Sequence, residues 1–240
     1  MILEDIIASL DHDAEVRDIR QGVFHTGVVT RNCGLAATLP KDALKQPPPL
    51  VESPGFLLDK SASQLTGLAF SESILEAAIG MAAINSLIDI DESGCEELNA
   101  RELIMEKGKD RNIAIIGHFP FIPKLRGVAR KLWVIEKNPK PGDYTEEEGR
   151  DLIPRADVLA ITGTAITNHS IEDLLKLKKK DSFTVVLGDS AVLSPVLFNY
   201  GVDAVAGTKV TDIDLALKCV SQGANFRQIK GTKRLVMLKV

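Results

Sequence analysis

Five short loops hold most of the residues in this sequence that could bind or transform a small molecule. They read Gly117-His118-Phe119-Pro120, Glu136-Lys137-Asn138, Thr162-Gly163-Thr164, Gly188-Asp189-Ser190 and Gly207-Thr208-Lys209, and each follows a short apolar run. Glycine lets a backbone approach a ligand closely, and Thr or Ser hydroxyls and free N–H groups at helix starts donate to anionic or carbonyl oxygens. Taken singly, each of these loops is better explained as turn geometry or a helix cap. Five in succession point to a site. His118, Glu136 and Asp189 together offer imidazole nitrogen and carboxylate oxygen, a donor set suited to a borderline metal. None of their spacings is a local metal motif, and His169, after the third run, is a further imidazole at a comparable position.

Glu136 ends the second run, where dinucleotide-binding folds place the acid that holds a ribose hydroxyl pair. GHFPFI is not GxGxxG, however, and its Phe and Pro residues make a stiff, bulky loop in place of a pyrophosphate cradle. The usual mode of NAD binding is therefore not expected, whereas a nucleoside or S-adenosylmethionine-like ligand stays open. GxSxG and GxxxxGK[ST] are both missing, so neither a nucleophile elbow nor a P-loop is present, and no catalytic residue is assigned. Cys33, Cys95 and Cys219 are far apart and include no CxxC pair; Cys33, near a turn, is the one expected to reach a cleft.

The elements that must position these loops follow from periodicity. Apolar runs at 113–116, 132–135, 158–161, 184–187 and 204–206 alternate with helical candidates at 123–131, 146–153, 170–179, 194–200 and 212–222. Continuous apolar strands alternating with helices predict a parallel sheet covered on both faces, whose post-strand loops all emerge at one edge. Thr145 with Glu148 and Ser170 with Asp173 have helix-cap spacing, Gly223 fits a helix stop, and the closing RLVMLKV predicts one more strand.

The first half has a different texture. Residues 2–10 have helical spacing, 16–39 are β-rich with a turn at Arg31-Asn32, and Pro47–Pro49 must be an extended connection. Ser73 opens SILEAAIGMAAINSLI, a helix apolar nearly all round and so expected to be buried on more than one side, with Glu76 at capping-box spacing. Asn85 within it is either a core amide or one offered to a ligand at the junction of the halves. Asn99 caps a short helix to Lys107. Helix, hairpin and helices predict a small α+β domain over 1–108, ahead of an α/β domain over 109–240.

IAIIGHFPFIPKLR, ITGTAITNHSIEDLL and VVLGDSAVLSPVLFNYGVDAVAG, with SILEAAIGMAAINSLI in the first half, resemble the family described as "putative heavy-metal chelation" proteins, formerly a domain of unknown function. The resemblance covers essentially the whole chain. It implies an enolase N-terminal-like α+β domain followed by a Rossmann-like domain, with a site between them that handles a metal or a metal-containing molecule. The matching positions are Asn85, Gly117, His118, Phe119, Pro120, Glu136, Thr162, Gly163, Thr164, Asn168, Gly188 and Ser190. Where the family pattern has proline, this chain has Asp189, an added negative charge at the mouth.

Composition bounds the rest. The chain has 240 residues, 45% hydrophobic and 26% charged, which excludes disordered and disulfide-scaffold classes. Aromatics at 5% and a net charge of −4 argue against nucleic acid and anionic membranes as partners. That charge conceals −9 over residues 1–109 and +5 over 110–240, as expected of two separately built halves. The start lacks a basic region followed by an apolar core, and the longest apolar stretch, 74–84, is too short to span a bilayer, so a soluble cytoplasmic protein is expected.

The leading expectation is a small-molecule or metal-complex ligand, with a divalent or heavy metal ion as cofactor and His118, Glu136 and Asp189 as ligands. An adenosine-type cofactor with Glu136 on its ribose is the alternative, and a non-catalytic binding module the third reading. A homo-oligomer is compatible with each.

Overall fold

The computed structural model describes residues 1–239. Helix α1 (Ile2–Ala8) leads into the β-rich run, which Gly22 breaks into two strands before the turn at Arg31-Asn32. The result is a three-stranded antiparallel sheet, β1 (Asp18–Gln21), β2 (His25–Val29) and β3 (Cys33–Ala37), in that order. Short helices α2 (Pro40–Ala43) and α3 (Ala62–Gly67) then precede the long α4 (Ile74–Leu87), and Pro47–Pro49 lies outside any helix or strand.

Of the residues in α4, all but Leu75 and Asn85 are buried. Two glycines bring other backbones directly onto it. A Cβ at Gly34 of β3 would sit well inside contact distance of the Ala82 carbonyl and the Ser86 amide, and one at Gly80 would do the same against Ala69. The expected capping box at its start is half made. Ser73 Oγ accepts from the Glu76 amide at 3.5 Å, but the Glu76 carboxylate turns away to accept from the Glu52 amide (2.8 Å) and the Ser71 hydroxyl (2.7 Å).

The second half forms a seven-stranded sheet. After β4 (Cys95–Glu96) and α5 (Ala100–Lys107) come β5 (Asn112–Ile116), α6 (Ile122–Arg126), β6 (Lys131–Ile135), α7 (Glu146–Leu152) and β7 (Val158–Thr162). The chain continues through α8 (Thr164–Thr167), α9 (Ile171–Leu177), β8 (Phe183–Leu187), β9 (Ala204–Val210), α10 (Ile213–Ser221) and β10 (Thr232–Leu238). The order is β4-β10-β9-β8-β7-β5-β6, with β6, β5, β7, β8 and β9 parallel, β10 antiparallel to β9, and β4 antiparallel to β10 at the edge. This is the expected Rossmann-like α/β sheet. Its five parallel strands follow the doubly wound order 2-1-3-4-5, whose direction of winding reverses between β5 and β7.

Three local expectations are corrected. Ser170 makes no cap bond; Asn168 Oδ1 instead accepts from the Ser170 amide (3.2 Å) and hydroxyl (2.7 Å). The predicted helix at 194–200 is a run of 3-10 turn from Pro195 to Tyr200, and the one at 123–131 stops at Arg126. Thr145 and Glu148 do form the reciprocal box that starts α7.

The two halves are interlocked. Strand β4 pairs with β10, and α5 packs on the sheet face through Leu103 and Ile104, beside Ile113 and Val185. On the other face one apolar cluster runs from Ile6, Leu65, Met81 and Ile84 of the first half to Leu159, Ile161, Val186 and Val205 of the second. Leu217 of α10 closes over Val29 and Cys33 of the small sheet. Among the described residues no helix is long and apolar enough to cross a membrane.

Candidate functional site

The glycines that end β5, β7 and β8 continue the strand ladder by one bond each. Gly117 N donates to Ile135 O (3.0 Å), Gly163 N to Leu187 O (2.7 Å) and Gly188 N to Ala206 O (3.0 Å). Beyond that bond the loops diverge. Gly117 has φ +100°, a conformation few side chains adopt, and a Cβ there would lie 3.1 Å from Thr162 Cβ. This close approach of the β5 and β7 loops leaves a concavity beside them, at the reversal point where open α/β sheets bind ligands.

The concavity encloses about 270 Å³. Gly117, His118 and Phe119 line one side, Glu136, Lys137 and Asn138 a second, and Thr162, Thr164 and Asn168 a third. Leu39 and Asp42 close it from the first half, and Glu146 from the start of α7. A larger hollow of about 520 Å³ lies at the opposite edge, between α5 and the starts of β8 and β9. It is the wrong edge of the sheet for a ligand presented by post-strand loops, so the smaller concavity is the candidate site.

Within it, the Thr162 and Thr164 hydroxyls lie 3.0 Å apart. Phe119 stacks on Phe121 with ring centroids 5.3 Å apart, which fixes its ring at the wall. The Glu136 carboxylate, half-buried, has no hydrogen-bond partner among the described residues. His118 stands at the mouth, its Nδ1 3.5 Å from Lys140 Nζ and its Nε2 3.8 Å from the Asp143 carboxylate. The loop carrying Lys140 and Asp143 is clamped at its base, where Tyr144 N donates to Val134 O (2.7 Å) and Glu136 N to Tyr144 O (2.9 Å).

Other sequence candidates lie elsewhere. Asp189 is buried and turned away from His118 and Glu136: its carboxylate meets His25 Nε2 at 2.8 Å and accepts from the Thr208 hydroxyl at 2.7 Å. Ser190 Oγ, also buried, accepts from the Ala37 amide at 2.8 Å. These two residues fasten the β8 loop onto the small sheet. Gly188 (φ +116°) makes the turn that aims them there, and Gly163 leaves no room for a Cβ against the Ser190–Ala191 backbone. Asn85 is a half-buried amide that donates to Leu35 O at 2.9 Å and does not line the concavity, and Pro120 is exposed off that lining. His169 faces the first half instead, its Nε2 2.8 Å from the Ala69 carbonyl. Cys33 is buried beneath α10, and burial pushes its thiol up to about 12, so it is neither in the site nor a nucleophile at neutral pH.

Sequence reasoning missed Asp42, Lys140 and Asp143, which come from segments with no periodic or motif signal, and Glu146, which it read only as the start of a helix; it gave His25 no role.

Fold and site together define a two-part α/β protein, a Rossmann-like sheet carrying a small α+β unit, with its loops gathered at the reversal point. The chain belongs to the DUF364 family, whose model, described as "putative heavy-metal chelation", matches residues 99–239. A second model with the same description, DUF4213, matches residues 3–88. An uncharacterized protein of Methanocaldococcus jannaschii is 25% identical over 193 residues, covering 76% of this chain and 73% of its own. Two crystal structures of DUF364-family proteins of unknown function are similar throughout. The one from Desulfitobacterium hafniense has TM-score 0.86 at 22% identity, covering 99% of this chain and 98% of its own. The one from Pyrococcus horikoshii has TM-score 0.86 at 25% identity, covering 100% of both chains.

Proposed function

We propose that the concavity at the ends of β5, β6 and β7 binds a small metal chelate, with His118 and Glu136 as the protein's contribution to its coordination. The family description supplies the metal, and the donor set limits how it is held. Among the described residues no three His, Cys, Asp or Glu side chains converge as a metal site would require. A caged bare ion therefore does not fit, since structural and catalytic sites take three or four protein donors. Asp189 is committed to His25 and Thr208. A cargo that arrives with most of its donors already supplied needs only one or two more, and this is what the wall offers. The observation that carries the reading is the placement of His118 and the unpartnered Glu136 in one concavity at the sheet's reversal point.

Nickel–nitrilotriacetate, a chelate with open coordination positions, is the probe. Calorimetric titration is expected to show binding by the untagged protein that weakens at least ~10-fold, about 1.4 kcal/mol, in both His118→Ala and Glu136→Ala. Binding that is equal in all three proteins, or missing from the unaltered one, defeats the reading.

The place of Glu136 at the tip of β6 favours one second reading, a ligand bearing an adenosine ribose. Adenosine and S-adenosylmethionine at ~100 times a dissociation constant would stabilise the protein by about 2.7 kcal/mol, a readily measured thermal shift. A shift that disappears in Glu136→Ala would support this occupant, and no shift with either compound rejects it.

A further inference from the structure

The Asp143 side chain is 3% exposed, yet its carboxylate has a single short hydrogen bond, from the Lys140 backbone amide at 3.0 Å to Oδ2. A carboxylate so little exposed is stabilised by any further donor that faces it. The group that faces it is His118, whose Nε2 lies 3.8 Å from the same oxygen, while its Nδ1 is met by the Lys140 ammonium at 3.5 Å. At 3.8 Å the carboxylate acts on the ring electrostatically and favours a proton on Nε2, while the ammonium, which can only donate, favours a lone pair on Nδ1. Both neighbours therefore select one neutral form of the ring, with the proton on Nε2 and the lone pair on Nδ1.

We propose that Asp143 is a positioning residue that holds His118 as the Nε2–H tautomer and so presents Nδ1, now covered by Lys140, as the nitrogen the ligand takes. The inference rests on the reading of this concavity as the ligand site, and it adds which atom of His118 is offered and what fixes it. Pairing of a ring N–H with a carboxylate is the usual way a protein orients an imidazole toward a ligand and raises its donor strength. Lys140 keeps the lone pair hydrogen-bonded until a ligand replaces it. The loop's clamp on β6 keeps Asp143 and Lys140 in register with the ring.

The test is imidazole nitrogen NMR on the full chain without ligand at pH 8.5, where an ordinary histidine (pKa ~6.5) is neutral. His118 is assigned by the signals lost in His118→Gln. The unaltered protein is expected to show the Nε2–H form alone, and Asp143→Ala a mixture in which the Nδ1–H form appears. Asp143→Leu, which keeps the shape and removes the acceptor, serves if the alanine variant does not fold, and is expected to behave alike. An Nδ1–H form in the unaltered protein, or identical spectra with and without the carboxylate, overturns the proposal. Nickel–nitrilotriacetate affinity is measured on the same samples, and a several-fold loss in the Asp143 variant accompanying the tautomer change supports it in full. The tautomer contrast with no chelate binding by any protein supports the positioning role and overturns only the functional reading.

Discussion

His25→Ala is expected to remove about 3–5 kcal/mol of stability, a large part of the ~5–15 kcal/mol that holds a typical domain folded. Its imidazole and the Asp189 carboxylate meet at 2.8 Å with side-chain exposures of 7% and 5%, across 164 residues of sequence. Removing the ring leaves the carboxylate buried with the Thr208 hydroxyl as its remaining side-chain partner. Removing both partners avoids the stranded group, so His25→Ala with Asp189→Ala is expected to recover part of the loss. Urea denaturation of the two single variants and the double variant measures this. A single-variant loss under about 0.5 kcal/mol would show that the contact carries no such weight.

Gly34→Val is expected to be as severe for a steric reason. Gly34 lies against the backbone of α4, where a Cβ would overlap the Ala82 carbonyl and the Ser86 amide. Neither backbone can yield without moving β3 or the helix, and β3 also carries the Ala37 amide that holds Ser190. Overpacking typically costs about 1–3 kcal/mol, and a rigid backbone neighbour places this case at or above the upper end. Gly67, at the end of α3, has open space around the corresponding position. Gly67→Ala is therefore expected to be neutral or stabilising by up to ~1 kcal/mol. A Gly34→Val variant that melts with the unaltered protein would refute the close approach.

The sheet was legible because its strands are continuous apolar runs with a loop signal after each, a pattern that only a covered parallel sheet explains. The long α4 was legible for the complementary reason, being too apolar on every side for any place but the interior. Strand β4 was not, because two residues carry no period, and the helix after it packs on the seven-stranded sheet through contacts that no local pattern announces. In the site, the loop residues near β5, β6 and β7 were readable from their position after a strand. Asp189 shows the limit of that rule. It has the same address as His118, but the turn at Gly188 sends its side chain to a histidine of the small sheet, a partner fixed by docking and invisible to local spacing. Asp42 and Asp143 were missed for the same reason, since each reaches the site from a segment placed there by tertiary contacts.

The apolar cluster that joins Ile6 to Val205 bears on how the protein can be dissected. Two family models divide the chain at residues 88 and 99, as if into independent modules. Cut there, the first piece would expose the side of α4 that faces α8, and the second would expose the Leu159–Ile161 face of its sheet to water. Either fragment alone is expected to be less stable than the whole chain. A substitution on one side of the seam is therefore expected to change packing within a cluster whose members lie far apart in sequence, such as Ile84 with Leu159 and Ile161.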